Sequence, residues 1–196
     1  LVSAGVVAKK ILGSIDISAK LIAAGGNDNI EEAIDMAIEK SDSVGGLVEC
    51  RASGIPLGVG EPFFDSVESV ISHLAFAVPA IKGIEFGSGF AAASMTGSKH
   101  NDPILDETGK TATNNAGGIT GGMTNGNELI FRVAVKPTSS IGIKQNTFSI
   151  ETGKVEELEV KGRHDACIAL RVPVVIEAIT AIALADLLMI RKATSK

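Results

Sequence analysis

Thr113-Asn-Asn-Ala-Gly-Gly-Ile-Thr-Gly-Gly-Met-Thr-Asn-Gly126 runs into Glu128-Leu-Ile-Phe-Arg-Val-Ala-Val135 and then Lys136-Pro-Thr-Ser-Ser140, and these three pieces are the most informative stretch of the chain. Five glycines fall between positions 117 and 126. Clustered glycine costs conformational entropy and supplies no side chain, so it needs a reason, and close approach of the backbone to a ligand is one. The Asn and Thr side chains around it add donors and acceptors with almost no charge. That chemistry suits a large, polar, hydrogen-bonding ligand better than a bare metal ion. Residues 128–135 alternate apolar and polar and read as a strand, and Pro137 stiffens the turn that ends it.

Working outward, residues 2–12 read as a helix stopped by Gly13. Residues 15–23 alternate as a strand. Residues 29–40 form an amphipathic helix with Ile30, Ala33, Ile34, Ala37 and Ile38 on one face, opened by Asn29 and Glu32 in a capping-box spacing. Residues 44–53 read as a strand and 55–62, with two prolines, as a loop. Asp65 is expected to cap a helix that turns Val67, Val70, Ile71 and Leu74 inward and ends at Pro79. Residues 80–86 form a strand, and 97–111 a polar, mobile loop. Residues 146–151 and 155–160 flank Thr152-Gly153 as a hairpin, and 174–189 close the chain as a long helix. Strands joined by short turns beside long apolar helices predict an α+β fold, in one domain over residues 1–196.

Composition excludes several classes. The chain is 45% hydrophobic, enough for a real core. It has seven Phe and neither Tyr nor Trp, too little aromatic surface for stacking nucleobases. A net charge of −5 and the lack of a basic run argue further against nucleic acid. The apolar run 172–190 contains Glu177 and Asp186, which makes a buried or interface helix the better reading than a membrane span. Cys50 and Cys167, 117 residues apart in apolar surroundings, read as buried free thiols of a reducing compartment. Leu1 leads directly into helical pattern without a signal peptide's charged region or cleavage site, so the sequence reads as one whose beginning is missing.

Three motifs require weighing against plain structure. Gly109-Lys110-Thr111 ends like a phosphate loop, but Ile104 occupies the position that loop gives to glycine, and the reading fails. Gly87-Ser-Gly-Phe90, with Ala92 at the third position, is half a dinucleotide fingerprint without a βαβ unit around it, and a structural turn accounts for it. Gly162-Arg-His-Asp-Ala-Cys167 packs four chemically capable residues together. Adjacent His164 and Asp165 cannot easily ligate one ion, so no metal is assigned. Two readings stay open there: a polar loop that opens the last helix, or an acid/base site with Arg163 as anion holder and Asp165 as proton acceptor. Likewise Lys136-Pro-Thr-Ser-Ser140 is either a strand-ending loop or a clamp for phosphate or carboxylate.

Taken in order, several motifs resemble the chorismate synthase family: Asp42-Ser-Val-Gly-Gly46, Gly54-Ile-Pro-Leu-Gly58, Pro79-Ala-Ile-Lys-Gly-Ile-Glu-Phe-Gly-Ser-Gly-Phe90 and Gly97-Ser-Lys-His-Asn-Asp102. The run 113–126, Lys136 to Ser140, Gly162-Arg-His-Asp165 and the Glu177-Ala helix follow, so the resemblance covers nearly all of the chain. It implies a layered sandwich with helices between antiparallel sheets. It also implies an enzyme that removes phosphate and a ring proton from 5-enolpyruvylshikimate 3-phosphate by 1,4-anti elimination, giving chorismate for aromatic amino acid biosynthesis. Reduced FMN is the implied cofactor, lending an electron to C–O cleavage and taking it back, with NADPH as its reductant where the protein reduces its own flavin.

Carried over position by position, the resemblance places Pro79, Ala80, Gly121, Lys136, Pro137, Thr138, Ser139, Ser140 and Arg163 against FMN. It makes Asp165 the catalytic group near the flavin N5, with Arg163 balancing its charge. A cytoplasmic homotetramer without nucleic-acid or membrane partners is the implied setting. The family's Gly-Glu-Ser-His-Gly segment, its second catalytic histidine and its Arg-Glu-Thr-Ala motif have no counterpart in these residues, and 23–30 is short for the family. The alternative reading is therefore a catalytically incomplete FMN- or phosphate-binding fragment of that enzyme, which binds FMN weakly and does not turn over.

Overall fold

The structure is a computed structural model and describes residues 1–194. In chain order its elements are α1 (Val2–Leu12), β1 (Asp16–Ala24), α2 (Ile30–Glu39), β2 (Gly46–Ser53), α3 (Val67–Ala77), β3 (Ile81–Phe86) and a single turn α4 (Gly97–His100). Two-residue strands β4 (Ile119–Thr120) and β5 (Met123–Thr124), then β6 (Leu129–Val135), β7 (Gln145–Ser149), β8 (Lys154–Leu158) and α5 (Pro173–Thr194) complete it. Strands β1, β2, β6 and β3 form an antiparallel sheet in the order β1-β2-β6-β3, and two-stranded ribbons β4-β5 and β7-β8 stand beside it. The class is α+β, as strands joined by short turns beside long apolar helices predict.

Strand alternation gives the main sheet two unlike faces. Val48, Cys50 and Ala52 of β2 lie opposite Val133, Phe131 and Leu129 of β6, and all six are buried. Phe131 also meets Phe86 of β3, ring centroids 5.6 Å apart. This face rests on α5, where Cys50 Sγ comes within 3.5 Å of Thr180 Oγ1, and burial pushes the Cys50 thiol up to about 12. The other face carries charge. Arg132 sits in register between Glu49 and Glu85. Glu49, 7% exposed, accepts from Arg51 Nε at 2.8 Å and Arg132 Nε at 2.9 Å. Burial works against the charge on Glu49, but the two guanidiniums outweigh it and hold the carboxyl below its usual range.

By length and composition α5 could cross a membrane, with a mean hydropathy of 2.1. It is instead apolar all round because it is covered on several sides: Ile176, Ile179, Leu184 and Leu187 are buried among the sheet, α1 and α3. Gly5 of α1 lets that helix lie directly on Ala178 of α5.

Local rules set most element ends. Asn29 caps α2 as expected, accepting from Glu32 N–H, but the box does not close: the Glu32 carboxylate accepts from the Asn29 side-chain amide at 3.0 Å, and the Asn29 backbone N–H goes to Asn27 Oδ1 at 2.9 Å. The cap of α3 is a correction: Ser66, not Asp65, accepts from Ser69 N–H at 3.0 Å. Asp65 is consumed by a 3-10 turn, Phe63–Asp65, with its carbonyl taken by Glu61 N–H at 3.1 Å. The segment expected to be a mobile loop, 97–111, holds α4 and a bridge between Ile104 and Thr111. The expected hairpin forms, with its strands one to two residues earlier than the pattern placed them.

Candidate functional site

The C-terminal end of β6 delivers Lys136 beside Ala80: Lys136 N–H donates to the Ala80 carbonyl at 2.9 Å. Pro79 follows the end of α3, and Ala80 turns the chain into β3 with φ of +72°, a conformation L residues rarely adopt. Pro79, Ala80 and Lys136 therefore stand together at one end of the sheet. Two residues on, the Thr138 carbonyl accepts from Ser43 Oγ at 2.6 Å. The next residue of that segment, Val44, donates its N–H to the Ala166 carbonyl at 2.8 Å. Residues 43 and 44 thus join the 136–140 loop to the segment that holds Arg163 and Asp165.

The resulting patch is chemically uneven. Lys136, Ser139, Ser140 and Arg163 are exposed, and among the described residues neither cation faces a carboxylate within ion-pair distance. Thr138 Oγ1 is shielded from solvent and has no hydrogen-bond partner. Asp165 is the one acid of the group, with its side chain 28% exposed. Its Oδ1 accepts from Cys167 N–H at 3.4 Å, and its Oδ2 pairs with Arg171 Nη2 at 3.0 Å. Arg163 is therefore not the partner that balances Asp165. The 3-10 turn Ile168–Arg171 folds Arg171 back over the carboxylate instead. His164 is tied to the Val160 carbonyl through Nε2 at 2.8 Å.

Gly121 lies apart from this group. Gly121 and Gly122, both at positive φ, make the tight turn of the β4-β5 hairpin. The Gly122 carbonyl accepts from Val67 N–H at 2.9 Å, at the first residue of α3. Pro79 is just past the last residue of that helix, and a rise of about 1.5 Å per residue puts the two ends roughly 16 Å apart.

The glycine-rich run is held by a residue with no assigned role in the sequence reading. Asp102 accepts from Thr113 Oγ1 at 2.6 Å, Asn115 N–H at 2.8 Å and Ala116 N–H at 2.9 Å. Burial raises the cost of its charge, yet the hydrogen bonds from Thr113, Ala116 and Asn115 outweigh that and hold its carboxyl below the usual range. Ser43 and Arg171, which contact the candidate residues Thr138 and Asp165, and Asp102, which holds the glycine-rich run, are residues that sequence reasoning did not single out. Ser43 and Asp102 lie inside motifs visible in the sequence, but their partners are far away along the chain.

The donor set fits a flavin phosphate. The 136–140 loop offers an anion one exposed cation and the exposed Ser139 and Ser140 hydroxyls, and among the described residues Thr138 Oγ1 is a shielded polar atom without a hydrogen-bond partner. Among the described residues no group of three or more His, Cys, Asp or Glu side chains could hold a metal ion.

Comparison with known proteins agrees with the motif order. A family model described as chorismate synthase matches residues 1–189. The chain is similar to a chorismate synthase of Chitinophaga pinensis, 60% identical over all of this chain and 59% of that protein. It is also similar to one of Dehalococcoides mccartyi, 49% identical over 79% of this chain and 43% of that protein. A crystal structure of chorismate synthase superposes with a TM-score of 0.77 at 27% identity, over 96% of this chain and 62% of that one. The chain thus spans about three fifths or less of the length of these relatives. With its motifs, its fold and the match over 1–189 in agreement, this chain belongs to the chorismate synthase family.

Proposed function

We propose that the protein catalyses the 1,4-anti elimination of phosphate from 5-enolpyruvylshikimate 3-phosphate, with the cluster at the C-terminal end of β6 as its flavin site. The reaction breaks a C–O bond to phosphate and a C–H bond and forms one C=C bond, so substrate and products balance without net oxidation. Bound reduced FMN supplies transient electron density for C–O cleavage. Everything else falls to the polypeptide. Lys136, Thr138, Ser139 and Ser140 hold the FMN phosphate, Pro79 and Ala80 shape the backbone beside it, and Arg163 adds positive charge at its edge. Asp165 takes up the ring proton, which requires a carboxylate fixed in place and open to the site.

The observation that carries this reading is an exposed Lys136, in no ion pair among the described residues, on a loop tied at Thr138 through Ser43 and Val44 to the segment bearing Asp165. A cytoplasmic homotetramer and NADPH as the source of reducing equivalents for the flavin accompany the reading and rest on family membership. Gly121 belongs to the site on the same ground. The test is a fluorescence titration of FMN against wild type and Lys136→Ala. Loss of a charge-assisted phosphate contact should weaken binding about tenfold. Equal affinity in the two proteins would remove the 136–140 loop from the flavin site.

A further inference from the structure

We propose that Ser43 is a positioning residue: the strap 40–45 sets the spacing between the anion-holding loop 136–140 and the Asp165 carboxylate, and the Ser43 hydroxyl is the side-chain clamp between strap and loop. The inference rests on the flavin-site reading above. The strap joins α2 to β2 and turns through Ser41 at φ of +55°. It is bonded to three separate parts of the chain. The Ser41 carbonyl accepts from Gly142 N–H at 3.0 Å, Val44 N–H donates to Ala166 at 2.8 Å, and the Gly45 carbonyl accepts from Gly25 N–H at 2.9 Å.

Those three bonds use backbone atoms and are open to any side chain. The bond from Ser43 Oγ to the Thr138 carbonyl, at 2.6 Å, is different, because it needs a hydroxyl at this position. The Asp42 carboxylate accepts from Ser43 N–H at 2.7 Å and fixes the backbone from which that hydroxyl reaches. Gly45 passes close by the start of the loop: a Cβ there would lie 2.5 Å from the Val135 carbonyl oxygen and 3.2 Å from Pro137 Cδ, so a side chain at this position would collide. With its carbonyl occupied by Ser43, Thr138 keeps a shielded hydroxyl that has no hydrogen-bond partner among the described residues. Ser43 thereby fixes the loop at Thr138, while Val44 holds the segment of Asp165 in the same frame.

The experiment compares FMN affinity and anaerobic chorismate formation for wild type, Ser43→Ala, Ser43→Thr and Lys136→Ala. Ser43→Ala should weaken FMN binding about fivefold, the weight of one hydrogen bond. At saturating FMN its kcat should still be reduced, because Asp165 and the loop lose their common frame, and its thermal midpoint should move by no more than about 3 °C. Ser43→Thr keeps the hydroxyl and should recover both FMN affinity and kcat to within about twofold of wild type, well inside the weight of that one bond. If Lys136→Ala weakens FMN binding and Ser43→Ala does not, the inference fails while the site reading stands. If neither weakens it, both fail. If Ser43→Ala does not fold, Ser43→Cys replaces it, and wild-type affinity and kcat in that variant overturn the proposal.

Discussion

Asp165 Oδ2 pairs with Arg171 Nη2 at 3.0 Å, and the two side chains are 28% and 81% exposed. So exposed a guanidinium contributes little to folding, since solvent screens the pair. Its effect should fall on the carboxylate instead. Arg171→Gln is expected to leave urea-unfolding stability within about 0.5 kcal/mol of wild type. It should lower turnover about threefold or more, in line with the loss of one partly screened ion pair of up to about 1 kcal/mol. A stability loss with unchanged turnover would make the pair purely structural.

Asp102 gives a pH-dependent prediction. Its folded-state affinity for a proton is lowered by the hydrogen bonds from Thr113, Ala116 and Asn115, so its contribution is present above the unfolded carboxylate range. That contribution is lost as pH falls through the folded value. Asp102→Asn should cost about 1–3 kcal/mol at pH 7, because one acceptor oxygen and the charge assistance to the part-buried Asn115 and Ala116 N–H groups are lost. The difference between wild type and variant should shrink on acidification below about pH 4. Urea titrations at several pH values check this; a gap that stays constant down to pH 3 would count against it.

Gly5 tests the helix layer. A Cβ at this position would lie 2.6 Å from Ala178 Cα, a backbone atom that cannot turn aside. Gly5→Ala gains helix propensity of up to about 1 kcal/mol, but forcing α1 off α5 should cost about 1–3 kcal/mol. A net loss of stability in chemical denaturation is expected. A variant more stable than wild type would mean that α1 packs less closely than described.

How much of this was legible in the sequence depends on the range of the interaction. The strand ending at Val135, the Asn29–Glu32 cap and the long last helix were legible because each rests on periodicity or on a spacing of three residues. The cap of α3 was missed by one position because Asp65 and Ser66 are both good caps, and the 3-10 turn before them uses up Asp65. The order imposed on 97–116 was not legible, since Asp102 reaches residues 11 to 14 positions away with no repeating pattern. Nor was the choice of Arg171 over Arg163, which depends on the direction of an irregular turn. The seven residues of β6 lie along the chain between the Gly121 turn and Lys136 and span about 23 Å at some 3.3 Å per residue, a separation that the run's sequence does not display.

The central claim is that Asp165 moves the substrate proton at a flavin site built around the 136–140 loop. Anaerobic conversion of 5-enolpyruvylshikimate 3-phosphate to chorismate with reduced FMN, measured for wild type and Asp165→Asn, tests it most directly. FMN affinity should stay within about twofold, because the phosphate contacts are untouched, while the rate should fall by about 100-fold or more. Chorismate formation at the wild-type rate in Asp165→Asn would contradict the assignment.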